Sequence, residues 1–198
     1  CWDSTKDLLA DTPEKKQASQ HTNIMAILVD MFSPDQTKTV MEKVLSDSGL
    51  QKCTFYYQFY LFQALNKAGM ADRYLMLLQP WRNMLDLGLT TFAEKPEPVR
   101  SDCHAWSASP NYDFLATICG IKPSTPGFHS VRISPHLGEL KWIHGEMPHP
   151  KGKISVKLHR AGTDGLIGEV ILPEDLTGEI VWNDKKCSLK GGPQKIKF

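Results

Sequence analysis

Apolar positions change their period once along this chain, near residue 120. Before that point the spacing is helical. Ile24, Ile27, Leu28 and Met31 share one face of a segment from Glu14 to Phe32, and Met25, Val29 and Phe32 add apolar residues on its other faces. A helix apolar nearly all round is expected to be buried between others. Ser33-Pro34 ends it and opens a second helix, with Ser33 as cap and Pro34 at the first position, running to about Ser46 and closed by Gly49. Phe55 to Lys67 reads as a third helix, rich in aromatics and ended by Gly69. Ala71 to Leu87 reads as a fourth, disturbed by Pro80. A loop from Leu89 to Asp102 follows, then a shorter helix from His104 to Cys119 with Ser101 or Asp102 as its cap.

Beyond Gly120 the period becomes that of strands. Ile121 to Gly127 reads as a turn-rich linker. Lys153, Ser155 and Lys157 then alternate with Ile154, Val156 and Leu158, the pattern of a half-buried strand. Val131–Ser134, Glu139–Ile143, Leu166–Leu172, Glu179–Trp182 and Lys195–Phe198 are similar short runs punctuated by Gly and Pro, the makings of a small antiparallel β-sandwich. Helices first and strands second predict two packed units, residues 1–122 and 123–198. The few helices of the first would leave apolar surface bare, so they are expected to be part of a larger helical domain. The chain begins with Cys1 rather than Met, and further polypeptide is expected upstream. A missing signal peptide then carries no information about compartment; a periplasmic or secreted location is favoured over a cytoplasmic one.

Composition narrows the classes. The 198 residues hold 23 basic and 22 acidic side chains, a formal charge of +1, so no dominant basic patch points to nucleic acid. No apolar run approaches the roughly 18 residues needed to span a bilayer, so no membrane partner is expected. The five cysteines are odd in number, widely spaced and without a CxxC pair, which argues against a disulfide framework or zinc site and for buried free thiols. His129, His136, His144, His149 and His159 follow no ligand pattern and are expected at the surface; neither metal nor cofactor is implied. Gly191-Gly192-Pro193 reads as a turn.

Candidate chemistry gathers around the loop after the fourth helix. Glu94 follows Phe92 and Ala93, and near-apolar neighbours could raise its pKa into the range of a general base; it could equally be a solvated loop glutamate, as Lys95 and Glu97 look to be. His104, placed in the first turn of a helix, would be kept neutral by the helix dipole and could read a sugar hydroxyl. Trp106 offers a flat apolar face to a sugar ring, or simply packs. Cys103 beside His104 is a poor nucleophile pair, because neighbours on a helix point about 100° apart. Gln20, His21 and Asn23 either line a cavity or satisfy backbone groups.

Three blocks resemble the end of the bacterial α-L-rhamnosidases of glycoside hydrolase family 78. Ala18-Ser19-Gln20-His21-Thr22-Asn23 is similar to the family's SQHANA-type helix start. Trp81 through Met84-Leu85, Gly88 to Glu94 and Cys103-His104-Ala105-Trp106-Ser107-Ala108 are similar to its W…ML…GATT-W-E and CHAWSA segments. Pro126-Gly127-Phe128, Val131 to Gly138, Leu140-Lys141-Trp142 and Gly145 are similar to the opening of its C-terminal sandwich. The resemblance implies an (α/α)6 toroid, of which this chain would hold only the last part, followed by a β-sandwich. It implies an inverting hydrolase acting on a rhamnose-containing glycoside or polysaccharide through two glutamates. Glu94 matches the general base and His104 a substrate-contacting histidine; Trp106 is assigned to substrate binding beside it; the acid has no match and would lie in a missing upstream part of the same polypeptide. Ala93 stands where the family often has Trp, and the stretch from Glu94 to His104 is short and carries Pro96 and Pro98. The alternatives are a non-catalytic carbohydrate-binding or bracing role, with Trp142 and Trp182 as the aromatic candidates of the sandwich, and another toroid enzyme such as a lyase. A lyase would need a cationic or Tyr/His cluster, and only Lys95 and Arg100 lie near Glu94.

Overall fold

The structure, a computed structural model, describes residues 1–96 and 98–198; Glu97, expected to be solvated, lies outside the described residues. The chain divides into two compact units, Cys1–Ser109 and Pro110–Phe198.

The first unit opens with two short antiparallel strands, β1 (Trp2–Asp3) and β2 (Leu8–Leu9). Helix α1 covers Gln20–Leu28, shorter at both ends than the apolar run that predicts it. Ser19 is its cap, accepting a bond from the Thr22 amide on its hydroxyl, and Asp30 adopts a left-handed φ of 59° just past its end. Its polar opening residues satisfy backbone groups. Asn23, fully buried, accepts from the Leu9 amide at 2.8 Å and donates to the Leu9 and Ser19 carbonyls at 3.0 Å each. Gln20 donates to the Val44 carbonyl and accepts from the Cys53 amide, both at 2.8 Å. The expectation that this segment is covered on every side is not met: Met25, Val29 and Met31 are exposed. Its apolar side facing α2 and α3 is the buried one, through Ile24 and Ile27.

Helix α2 (Pro34–Ser46) starts in a capping box, the Gln36 amide on the Ser33 hydroxyl and the Gln36 side chain on the Ser33 amide. Helix α3 (Phe55–Lys67) buries Phe55, Leu61, Phe62 and Leu65. The fourth helical segment is two elements, a 3₁₀ stretch Ala71–Leu78 and then α4 (Gln79–Asp86). Pro80 decides this, because its ring and missing N–H are tolerated in the first turn of a helix and not in the interior of one.

In the second unit, α5 (Ser109–Asp113, its first residue belonging to the preceding unit) runs into a single π turn, Phe114–Ile118. Eight strands follow: β3 (Ile121–Pro123), β4 (Ser130–Ile133), β5 (Trp142–His149), β6 (Gly152–Ala161), β7 (Gly165–Leu172), β8 (Thr177–Trp182), β9 (Lys185–Leu189) and β10 (Gly192–Lys197). They form two four-stranded sheets, β10-β7-β6-β5 and β3-β4-β8-β9. The first is antiparallel throughout. The second is not, which corrects the wholly antiparallel expectation: β4 and β8 pair in parallel, Ser130 opposite Thr177 through Ile133 opposite Ile180. Three strands of the other sheet intervene between them, and a parallel pair needs such a long connection.

Each sheet buries one face. Ile154, Val156 and Leu158 on β6 and Leu166, Val170 and Leu172 on β7 line one; Val131, Ile133 and Ile180 line the other. Gly168 makes the β6–β7 contact possible: at φ 151° a Cβ there would lie 2.0 Å from the Lys157 carbonyl oxygen. The supposed linker contains strand β3, paired with β4 from Ile121 opposite Ile133. The run expected from Glu139 becomes strand only at Trp142. Strand β9 had no apolar signal, being exposed except at Leu189, and is folded back by Asn183-Asp184, both at positive φ as a type I′ turn requires. The unit begins earlier than the change of period at residue 122 because the π turn packs on β5, where Gly145 leaves room for the Cys119 thiol.

Two of the sequence expectations about single residues change. Only Cys53 and Cys119 are buried; Cys1, Cys103 and Cys187 are exposed, and all five are free thiols. Trp182 is no open sugar shelf, since it is buried, donates to the Asp164 carbonyl at 2.6 Å and lies under the Arg160 guanidinium. Trp142 remains 60% exposed.

Two outcomes test this packing. Asn23→Ala leaves the Leu9 amide and carbonyl unpaired in the interior and should cost about 2–3 kcal/mol in chemical denaturation. Asp113 is fully buried with one oxygen bonded by Thr117 at 2.8 Å; burial pushes its carboxyl up to about 6, against the Thr117 bond and nearby Lys122. A carboxyl raised on folding contributes stability that is complete below its unfolded pKa and lost as pH rises through about 6. Asp113→Asn should therefore gain on the native chain, by on the order of 2–3 kcal/mol between about pH 4 and pH 7 in paired thermal melts; a constant difference would contradict the assignment.

Candidate active site

The loop after α4 is closed on itself. Its outgoing leg runs from Gly88, at φ 75°, to Glu94, and its return leg from Arg100 to His104. The Thr91 hydroxyl donates to the Asp102 carbonyl, the His104 amide to the Phe92 carbonyl at 2.7 Å, and the Glu94 amide to the Ser101 carbonyl at 2.9 Å. The return leg is anchored to α4 by Trp81, which donates from Nε1 to the Ser107 carbonyl at 2.7 Å and packs on Phe55 at 5.2 Å between ring centres. The two sequence candidates, ten positions apart, are thus held on facing legs of one loop.

Glu94 is buried, with its side chain 10% exposed. It is neither a solvated glutamate nor a carboxylate with a raised pKa. Arg100 grips it with two bonds, Nε to Oε2 at 2.9 Å and Nη2 to Oε1. The Arg100 hydrogen bonds hold its carboxyl below the usual carboxylate range; burial opposes this, and the charges of Arg100, His104 and Lys95 add to the lowering. The apolar neighbours Phe92 and Ala93 foresaw the burial but not the cation, which lies six residues on.

His104 is not inside a helix. Its backbone is extended, φ −125° and ψ 104°, and it precedes a 3₁₀ turn, Ala105–Ser107. Its amide is engaged by Phe92 across the loop, so the helix-dipole argument for a neutral imidazole does not apply. The ring lies 4.9 Å from that of Trp106, and its Nδ1 is buried with no hydrogen-bond partner among the described residues.

From Trp106 the rings continue in a row: Tyr56 at 5.7 Å, Tyr60 at 6.2 Å from Tyr56, Tyr57 at 5.1 Å from Tyr60, and His21 at 4.3 Å from Tyr57. Tyr56 and Trp106 are 46% and 45% exposed. Sequence reasoning noted the aromatic content of α3 and missed that Tyr56 and Tyr60, four apart, fall on the face toward Trp106. That spacing was the available signal. Beside the loop, a cavity of about 530 Å³ is lined by Phe55, Met84, Leu87, Leu89, Ala93 and Pro96 among others; Glu94 and His104 are not among its lining residues. Among the described residues no cluster of three or more His, Cys, Asp or Glu could hold a metal, and no helix is long and apolar enough to cross a membrane.

Comparison with known proteins defines first a class for the second unit: residues 120–197 match the bacterial alpha-L-rhamnosidase C-terminal domain. Beyond those residues, most of the chain is similar to α-L-rhamnosidases. An alpha-L-rhamnosidase of Alteromonas sp. (strain LOR) is 26% identical over 189 residues, covering 84% of this chain and 20% of that protein. The GH78 rhamnosidase of Bacillus sp. GL1 superposes with a TM-score of 0.79 at 24% identity, over 92% of this chain and 21% of the other. The Streptomyces avermitilis alpha-L-rhamnosidase, solved in complex with L-rhamnose, gives 0.73 at 16% identity, over 90% and 21%. This chain spans about a fifth of the length of these relatives.

Trp81→Phe keeps an aromatic ring and removes the bond to Ser107. It should cost about 1 kcal/mol in stability and speed hydrogen exchange at the His104 amide while leaving that of β6 unchanged; equal protection at His104 would show that Trp81 does not hold the loop.

Proposed function

We propose that this chain is the C-terminal part of an inverting glycoside hydrolase that removes terminal α-L-rhamnose from glycosides or polysaccharides. Residues 1–122 are then the last helices of an (α/α)6 toroid and residues 123–198 a β-sandwich that braces it. The observation that carries the reading is Glu94, a buried carboxylate held below the usual range on the same closed loop as His104, with Trp106 in the 3₁₀ turn that follows. The likeness to rhamnosidases, one of them holding L-rhamnose, supports the sugar.

In this reading Glu94 is the general base. Water loses a proton to its carboxylate while the water oxygen bonds to the anomeric carbon; the glycosidic bond breaks, and its electrons leave with the aglycone oxygen, which takes a proton from a general acid. The acid is a carboxylic acid supplied by polypeptide outside residues 1–198. His104 offers a ring nitrogen to a sugar hydroxyl, and the half-exposed Trp106 face packs on the sugar's C–H face.

Glu94→Gln in the full-length polypeptide is isosteric and cannot accept the proton. Turnover of a rhamnoside should fall by roughly 10²–10⁴-fold with rhamnose binding retained, and the native enzyme should release the inverted anomer by NMR. Undiminished turnover in the variant would remove Glu94 from the mechanism.

A further inference from the structure

We propose that Arg100 is a positioning residue for Glu94, holding the candidate base in one orientation by a two-point grip while leaving it free to accept a proton. The inference rests on the reading of Glu94 as base and adds a residue on which the family motifs are silent.

The geometry distinguishes this pair from an ordinary surface ion pair, which contributes little because two mobile side chains must be ordered. Glu94 is already ordered: its side chain is 10% exposed and its amide is bonded to Ser101, the residue next to Arg100. Arg100 approaches from outside, 76% exposed. Two nitrogens of one planar guanidinium meet the two oxygens of one carboxylate, which fixes its plane as well as its position. A carboxylate has about four lone-pair sites, and the fork occupies one on each oxygen. The remaining site on each oxygen can take a water proton with Arg100 still in place.

The charged and titratable groups that act on Glu94 are Arg100, His104 and Lys95. Arg100 supplies both the leading hydrogen bonds and a Coulombic contribution, so its removal should dominate any change. A purely structural ion pair would also move the titration of Glu94 when Arg100 is removed, but Arg100→Lys, which restores the charge, would then restore kcat in full.

The test compares Arg100→Gln and Arg100→Lys by two readouts. In this chain, carboxyl-carbon NMR follows the titration of Glu94; in the full-length polypeptide, the acid limb of kcat/KM for a rhamnoside follows the ionisation of the base. Arg100→Gln should move both to higher pH, and Arg100→Lys, which keeps the charge but not the fork, should bring both back toward the native position with kcat still reduced. An unmoved Glu94 titration in Arg100→Gln overturns the inference. A moved titration with an unmoved acid limb leaves the pair intact and overturns the assignment of Glu94 as base.

Discussion

The hydrogen bonds that close the 88–104 loop on itself are the constraint on which the candidate site depends. Without the bonds from His104 to Phe92 and from Glu94 to Ser101, the two legs would be independent, and neither histidine nor carboxylate would have a fixed neighbour. Closing the loop does three things at once. It withdraws Glu94 from water, brings Arg100 within reach of it, and commits the His104 amide to the loop rather than to a helix.

The helices and most strands were legible because burial on one face imposes a period. Helix α3 runs over the residues its pattern implies, and the Ser33-Pro34 start of α2 is a capping box because Ser, Pro and Gln occupy the positions that one requires. Elements held by geometry rather than burial were not legible. Strand β9 has almost no apolar residue and exists because Asn183-Asp184 folds it onto β8; strand β3 is three residues long and ends in proline. The 3₁₀ and π segments left no period of their own.

Around the candidate site, the motif singled out Glu94, His104 and Trp106, but not the electrostatics around them. Neighbours in sequence pointed to an apolar setting for Glu94, whereas the decisive neighbour is a cation reached only after the chain turns. The row of rings from Trp106 to His21 likewise joins α3, α1 and the 3₁₀ turn, elements far apart in sequence, so the Tyr56/Tyr60 spacing could signal only one part of it. Residue types were readable; their pairing needed the fold.

Residues 1–19, mostly exposed, are tied to the helical unit at a few positions. Leu8 and Leu9 are buried, the Asn23 side-chain amide accepts from the Leu9 amide on its oxygen and donates from its nitrogen to the Leu9 carbonyl, and Asp11 accepts from the Ser19 and Thr22 hydroxyls at the mouth of α1. Leu8, Leu9 and Ala10 therefore anchor this segment to the helical unit. A protease cut or an expression boundary placed between Ala10 and Ser19 would act like a core mutation, leaving the buried Asn23 without its Leu9 partners.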